Sequence, residues 1–189
     1  MIKQALSPAI FLDRDGVIVE NRANYIRSWA DVDIFSQALS ALARLKHSPY
    51  KIVIVTNQSA VGRGIISRIE AESINTQLVK TIEEAGGRID GVFMCPHAPE
   101  EGCNCRKPQP GLLLEAAREL RLEVGKSIMI GDALTDLLAG KRAGVPLNVL
   151  VRTGRGTVQN TMPVPKELGG FPIFDTLSAA VSALLDLRA

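Results

Sequence analysis

"AIFLDRDGVIVEN", Ala9–Asn21, sets the apolar residues Ile10–Leu12 directly before two carboxylates, Asp13 and Asp15, with Gly16 behind them. A short continuous apolar run of this kind fits a strand covered on both faces. Ending it on two negative charges one residue apart calls for a cation between them or a proton for one of them to carry. A divalent metal bound by oxygen ligands meets the first need. One carboxylate acting as nucleophile and the other as acid and base meets the second. Gly16 lets the chain leave at a backbone angle that other residues resist. A plain turn is the competing reading, because Asp and Gly gather in loops for local hydrogen-bonding reasons.

Outward from this stretch, whose strand reads as Ala9–Leu12, similar apolar runs recur at Ile52–Val55, Gly91–Cys95, Ser127–Ile130 and Leu147–Val151, with a last one at Phe171–Phe174. Helical patterns lie between them. Ser67 and Glu70 form a capping-box pair opening a helix that Gly86-Gly87 would close. Leu112, Leu113, Ala116, Ala117 and Leu120 make one apolar face after Pro110, and Leu177, Val181, Leu184 and Leu185 make another near the C-terminus. Alternating units of this length predict an α/β fold with a doubly wound, mostly parallel, Rossmann-like sheet. Thr153–Gly170 lacks periodicity and reads as a long surface loop before a final β-α unit.

The bulk properties agree with one globular domain over residues 1–189. The chain is 46% hydrophobic, long enough for one core and short for two. A formal charge of +2 and 4% aromatic residues give no basic stripe or stacking platform, so neither nucleic acid nor an anionic membrane is expected as partner. No apolar stretch approaches the ~20 residues of a bilayer span. Lys3 is followed by no secretory h-region before Asp13. The expectation is a cytoplasmic protein.

In doubly wound sheets, ligands bind beyond the carboxyl ends of the strands. Four predicted strands end there in reactive groups: Asp13 and Asp15, then Thr56-Asn57, then Cys95, then Asp132. Thr56 has the hydroxyl to hold a phosphate oxygen, although a helix N-cap would use it equally well. Lys107, in the Pro-bounded "CRKPQPG" (Cys105–Gly111), is either a phosphate-neutralising cation or a solvated one. Asp136 follows Asp132 by one helical turn, where acidic residues also serve the helix dipole. Cys95, His97, Cys103 and Cys105 offer three thiols and an imidazole within eleven residues, a closed tetrahedral set suited to structural Zn²⁺. Such a knot, spanning residues 95–107, would deliver Arg106 and Lys107 preorganised.

The ordered set D-x-D-G, Thr, Lys and G-D-x-x-x-D, each after its own strand, resembles the haloacid dehalogenase superfamily of phosphatases from Ala9 to about Val151. "FLDRDG", "VTNQS" and "CRKP" are similar to the capless branch that holds the D-glycero-D-manno-heptose 1,7-bisphosphate 7-phosphatases and the histidinol-phosphate phosphatases. The resemblance implies that Asp13 attacks phosphorus and that Asp15 serves as acid and then base. It implies Mg²⁺ on Asp13, the Asp15 carbonyl and Asp132, with Thr56 and Lys107 on the phosphoryl oxygens and Asp136 supporting. Implied substrate contacts are Arg14, Asn21, Arg22, Tyr25, Asn57, Gln58, Ser59 and Arg106, under a flap of about residues 17–35 whose Arg22 and Arg27 either meet a second phosphate or stay solvated surface cations. The implied substrate is a small phosphorylated sugar, with the 7-phosphate of the heptose bisphosphate ahead of histidinol phosphate, and a monomer suffices. Ala133 departs from the pattern, since many members carry Lys or Arg after G-D.

Two other classes account for less. A phospho-accepting receiver module would carry its Asp at the third strand end, where Cys95 stands. A zinc-stapled nucleic-acid module would leave the carboxylates idle.

Overall fold

The computed structural model describes residues 5–186; Lys3, with the rest of 1–4 and 187–189, lies outside the described residues. The strands are β1 (Ala9–Leu12), β2 (Lys51–Asn57), β3 (Gly91–Cys95), β4 (Ile128–Gly131), β5 (Leu147–Val151) and β6 (Ile173–Phe174). The helices are α1 (Ser36–Leu45), α2 (Ser59–Gly62), α3 (Arg68–Glu84), α4 (Gly111–Glu119), α5 (Leu134–Ala143), α6 (Gly156–Gln159) and α7 (Leu177–Asp186). All six strands run parallel in the order β3-β2-β1-β4-β5-β6. No cap layer interrupts the α/β order among the described residues.

The alternation along β1 explains the three-layer packing. Ile10 and Leu12 join the core under α1, α3 and α7, while Ala9 and Phe11 join the core under α4 and α5. All four residues are fully buried, which is why the run reads as continuously apolar. Each such Leu, Ile or Phe contributes about 1.5–3 kcal/mol by leaving water. Ser67 caps α3 as its spacing predicts: the Glu70 N–H donates to Ser67 Oγ at 3.1 Å, and the Ser67 N–H to Glu70 Oε2 at 2.6 Å. Gly86, at φ +88°, ends that turn in the left-handed region.

The chain differs from its sequence reading in a few places. β2 runs on to take Thr56 and Asn57 into the sheet, paired with Met94 and Cys95 of β3. The segment 153–170 is not surface loop throughout, because it opens with α6 and buries Leu168 against Leu134, Leu137 and Leu150. Within 17–35, Val17, Ile18 and Val19 are fully buried, and Val19 bridges to Asp15 and Ile34. The part that overhangs the carboxyl edge is Glu20–Tyr25, largely exposed.

Connections run from β1 outward through β2 to β3, then return so that β4 lies on the other side of β1. The strand order therefore reverses between β1 and β4, opening a crevice at their carboxyl ends. Asp13 and Asp132 both enter that crevice, and the Asp13 N–H donates to Ile130 O at 3.0 Å.

Candidate active site

Asp13, directly after β1, is 4% exposed. Its Oδ1 accepts the Arg14 N–H at 2.8 Å and lies 2.8 Å from Lys107 Nζ. Asp136 Oδ1, from the first turn of α5, is 2.7 Å from the same ammonium. Asp136 Oδ2 accepts the Ala133 N–H at 3.1 Å, so α5 holds this carboxylate by its own backbone. Asp136, read from the sequence only as supporting, thus has Lys107 as its ion-pair partner.

Burying three charges costs free energy unless they satisfy one another. Burial pushes the Asp13 carboxyl up to about 6, with Lys107 pulling it down and Asp136 and Asp15 adding to the rise. Burial works against the Lys107 ammonium, yet Asp13 and Asp136 hold it above the ordinary lysine value. The Lys107 backbone is fixed too: Asn57 Nδ2 donates to Lys107 O, and the Lys107 N–H donates to Asn57 Oδ1, each at 3.1 Å.

Asp15, in the turn past the end of β1, has a different set of partners. Its carboxylate receives Gln58 Nε2 at 2.8 Å and Thr56 Oγ1 at 3.4 Å, and Gln58 also donates to Thr56 Oγ1 at 2.8 Å. The Arg14 guanidinium spans both Asp15 oxygens, Nε to Oδ2 at 3.2 Å and Nη2 to Oδ1 at 3.0 Å, while Nη1 reaches Asn75 Oδ1 of α3 at 2.8 Å. Arg14 is 2% exposed. Arg14 and Gln58, both read as substrate contacts, line the candidate cleft and direct these donors onto the Asp15 carboxylate.

Asp132, at the end of β4, is fully buried. Asn21 Nδ2 donates to its Oδ2 at 2.7 Å, and the Arg155 N–H donates to the same oxygen at 2.8 Å. The Arg155 guanidinium reaches Oδ1 at 3.1 Å. Burial and nearby Asp13 raise the Asp132 pKa, and Arg155 opposes them. Gly16 sits at φ +91°, and a Cβ there would collide with this carboxylate, so only glycine fits between Asp15 and Asp132. Ala133 is buried, and the cation beside Asp132 comes from Arg155 instead.

Asp13, Asp15, Lys107, Asp136 and Arg155 line one cleft of about 600 Å³, with Asn21, Arg22, Tyr25, Asn57, Ser59 and Arg106 on its walls, while Asp132 and Thr56 are buried outside its lining. Arg22 pairs with Asp33 and donates to Asp31 O, and Arg106 donates to His97 O at 3.1 Å. Arg27, also read toward a second phosphate, caps Asn24 O at 3.1 Å and is not a wall residue. A second hollow of about 580 Å³ lies along β3 between α3 and α4 and contains none of the clustered carboxylates.

Two groups of side chains fit metals. Asp13, Asp132 and Asp136 bring carboxylate oxygens within 4.8 Å of one another, a hard donor set suited to Mg²⁺. The Asp15 side chain is not in this group, being engaged with Arg14, Thr56 and Gln58. Cys95, His97, Cys103 and Cys105 also lie within 4.8 Å, with Sγ–Sγ separations of 3.2–3.6 Å and His97 Nδ1 3.3 Å from Cys105 Sγ. Tetrahedral Zn²⁺ at ~2.3 Å from sulfur spaces its ligands by about 3.7 Å, so the cluster is compatible with zinc. Burial raises the Cys95 thiol, whereas at Cys103 it is outweighed by the Arg106 N–H and neighbouring thiols, which bring that thiol to about 7.

Residues 104–180 match the HAD-hydrolase-like family model. Among curated proteins, the D-glycero-beta-D-manno-heptose-1,7-bisphosphate 7-phosphatase of Pseudomonas aeruginosa is 34% identical over 176 residues, 93% of this chain and 97% of that protein. The enzyme of the same name from Photorhabdus laumondii is 39% identical over 155 residues, 78% of this chain and 82% of its own. The crystal structure of D,D-heptose 1,7-bisphosphate phosphatase from B. bronchiseptica, complexed with magnesium and phosphate, superposes with a TM-score of 0.88 at 32% identity, covering 96% of this chain and 99% of that one.

Proposed function

We propose a function from one premise: the chain belongs to the HAD-like phosphatase family of the D-glycero-beta-D-manno-heptose-1,7-bisphosphate 7-phosphatases. It is a phosphoric monoester hydrolase, and its substrate is D-glycero-D-manno-heptose 1,7-bisphosphate, cleaved at the 7-phosphate. The observation that carries the reading is the Lys107 ammonium held between Asp13 and Asp136 at the floor of the cleft. A nucleophile and a phosphate-neutralising cation are thereby supplied in contact by two different loops.

In this reading an Asp13 oxygen attacks phosphorus, and the bond from phosphorus to the sugar O7 breaks. Asp15 gives its proton to that oxygen, leaving an aspartyl-phosphate on Asp13. Water then attacks the same phosphorus, Asp15 takes its proton, and inorganic phosphate and the heptose 1-phosphate leave. Lys107 and Thr56 hold the phosphoryl oxygens, the positioning and charge stabilisation on which phosphoryl transfer mainly depends. Asp13, Asp132 and the Asp15 carbonyl would hold Mg²⁺, with Asp136 supporting through Lys107; when bound, the ion supplies charge neutralisation at the transferring group. Asn21, Arg22, Tyr25, Asn57, Ser59 and Arg106 are the substrate-facing wall. The Glu20–Tyr25 segment is the flap over it. The zinc knot is structural and holds Arg106 and Lys107 in place.

Three free thiols in one metal-binding loop suit a reducing compartment, and the reading is of a cytoplasmic enzyme. No helix among the described residues is long and apolar enough to cross a membrane. The cleft is built from one chain, so a monomer suffices.

The test is phosphate release from the heptose 1,7-bisphosphate with Mg²⁺, ranked by kcat/KM against histidinol phosphate and other sugar phosphates, with the product identified by phosphorus NMR. The heptose 1-phosphate as product supports the reading. Release of the 1-phosphate instead, or a larger kcat/KM for histidinol phosphate, refutes it.

A further inference from the structure

The turn after β5, Thr153–Gly156, does not behave as an independent surface loop. Thr153 Oγ1 donates to Gly16 O at 2.6 Å, and the Arg155 N–H donates to Asp132 Oδ2 at 2.8 Å. Gly154 sits at φ +57°, where a Cβ would run into Gly16 Cα, Asn21 Nδ2 and Asp132 Oδ2. Arg155 is therefore presented by a backbone pressed against the D-x-D-G loop. Its side chain remains 57% exposed, while the carboxylate it reaches is fully buried. The guanidinium enters the cleft from the solvent side and lines it with Asp13, Lys107 and Arg106.

The four arginines on this cleft have different partners. Arg14 has Asp15, Arg22 has Asp33, and Arg106 has the His97 carbonyl, none of which belongs to the clustered carboxylates. Arg155 alone of the four pairs with Asp132, a member of the oxygen cluster that fits a divalent metal. A metal ion on the Asp132 oxygens sets a second cation beside this partly exposed guanidinium, and their repulsion weakens the Arg155 contact. Metal at Asp132 thus loosens the guanidinium, whose planar fork matches a phosphate group.

We propose that Arg155 is a specificity-determining residue: displaced from Asp132 by the divalent metal, it binds the second, non-reacting phosphate of the substrate. This rests on the heptose bisphosphate reading above. Arg155 then discriminates a bisphosphate from a monophosphate of the same sugar, with no part in the chemistry at Asp13. Arg155 also competes with the metal for Asp132 before substrate arrives.

Arg155→Gln and Arg155→Lys test both parts. The ratio of kcat/KM for the 1,7-bisphosphate to that for the 7-monophosphate should fall at least tenfold in Arg155→Gln, mainly through KM, and recover in part in Arg155→Lys. Calorimetric titration of magnesium-free enzyme with Mg²⁺, without sugar, should give a Kd several-fold lower in Arg155→Gln than in the parent. An unaltered ratio, or weaker Mg²⁺ binding in Arg155→Gln, overturns the proposal while leaving the functional reading intact. A parent enzyme that does not turn over the bisphosphate overturns both.

Discussion

Asp13 Oδ1 and Lys107 Nζ stand 2.8 Å apart with both side chains almost completely buried, at 6% and 1% exposure. The pair joins the end of β1 to a loop roughly ninety residues downstream, and Asp136 closes it from a third element. The proposed chemistry and the stability of the fold therefore meet on the same atoms. A charge kept out of water for chemistry is a charge the fold must neutralise.

Asp13→Asn separates the two demands. Turnover should fall by several decades, measured as phosphate release, because the nucleophile is gone. Stability should move oppositely in magnesium-free buffer. The folded Asp13 titrates near 6 against an ordinary 3.8, so the folded state favours the neutral form. The resulting cost is absent below pH 3.8, grows between there and about 6, and is full at neutral pH. About two pKa units correspond to about 3 kcal/mol. At pH 7.5 the Asn variant should melt several degrees above the parent, and the gap should narrow at pH 5. A parent that melts higher at pH 7.5 would contradict the burial argument.

Lys107→Met removes the cation and leaves Asp13 and Asp136 facing each other without a partner. Breaking a buried pair from one side costs about 3–5 kcal/mol. Melting of the magnesium-free variant should drop accordingly, and added Mg²⁺ should recover part of the loss without restoring turnover. Calorimetric melting with and without Mg²⁺ reads this directly.

The cysteine knot should hold about one zinc per chain by elemental analysis. Mild EDTA should stop catalysis before it unfolds the chain, since Mg²⁺ is expected only at the carboxylate cluster. Cys105→Ser should loosen the loop that carries Arg106 and Lys107, lowering kcat even at saturating Mg²⁺. Fully active protein without zinc would end the knot's structural role.

Much of this was legible because the candidate site gathers at strand ends. The run Ala9–Leu12 matches β1 residue for residue, and the Ser67–Glu70 pair forms the cap its spacing predicts. Parallel strands buried on both faces leave a continuous apolar signature, so their termini, with Asp13, Thr56, Cys95 and Asp132, can be located. Side-chain direction was not legible. Nothing in "FLDRDG" says that Arg14 folds back onto Asp15, because its other partner, Asn75, lies sixty-one residues away on α3. Arg155 was lost in an aperiodic segment, although its place just past another parallel strand, between two glycines, was a usable signal.

Arg14 gives the sharpest test of that difference. The family resemblance implies a substrate contact, whereas the structure has its fork across both oxygens of Asp15 and its remaining nitrogen on Asn75. A residue so used would fix the direction of the proposed acid and base, and misdirecting a catalytic group by about 1 Å costs on the order of 10²-fold in rate. Arg14→Lys keeps the charge and loses the fork, so it should lower kcat by about 10- to 100-fold. KM should change far less than kcat, and circular dichroism should report a folded chain. Asn75→Ala, which frees only the far nitrogen, should reproduce the effect more weakly. Were KM to rise tenfold or more with kcat retained, Arg14 would be a substrate ligand after all, and Asp15 would owe its orientation to Gln58 and Thr56.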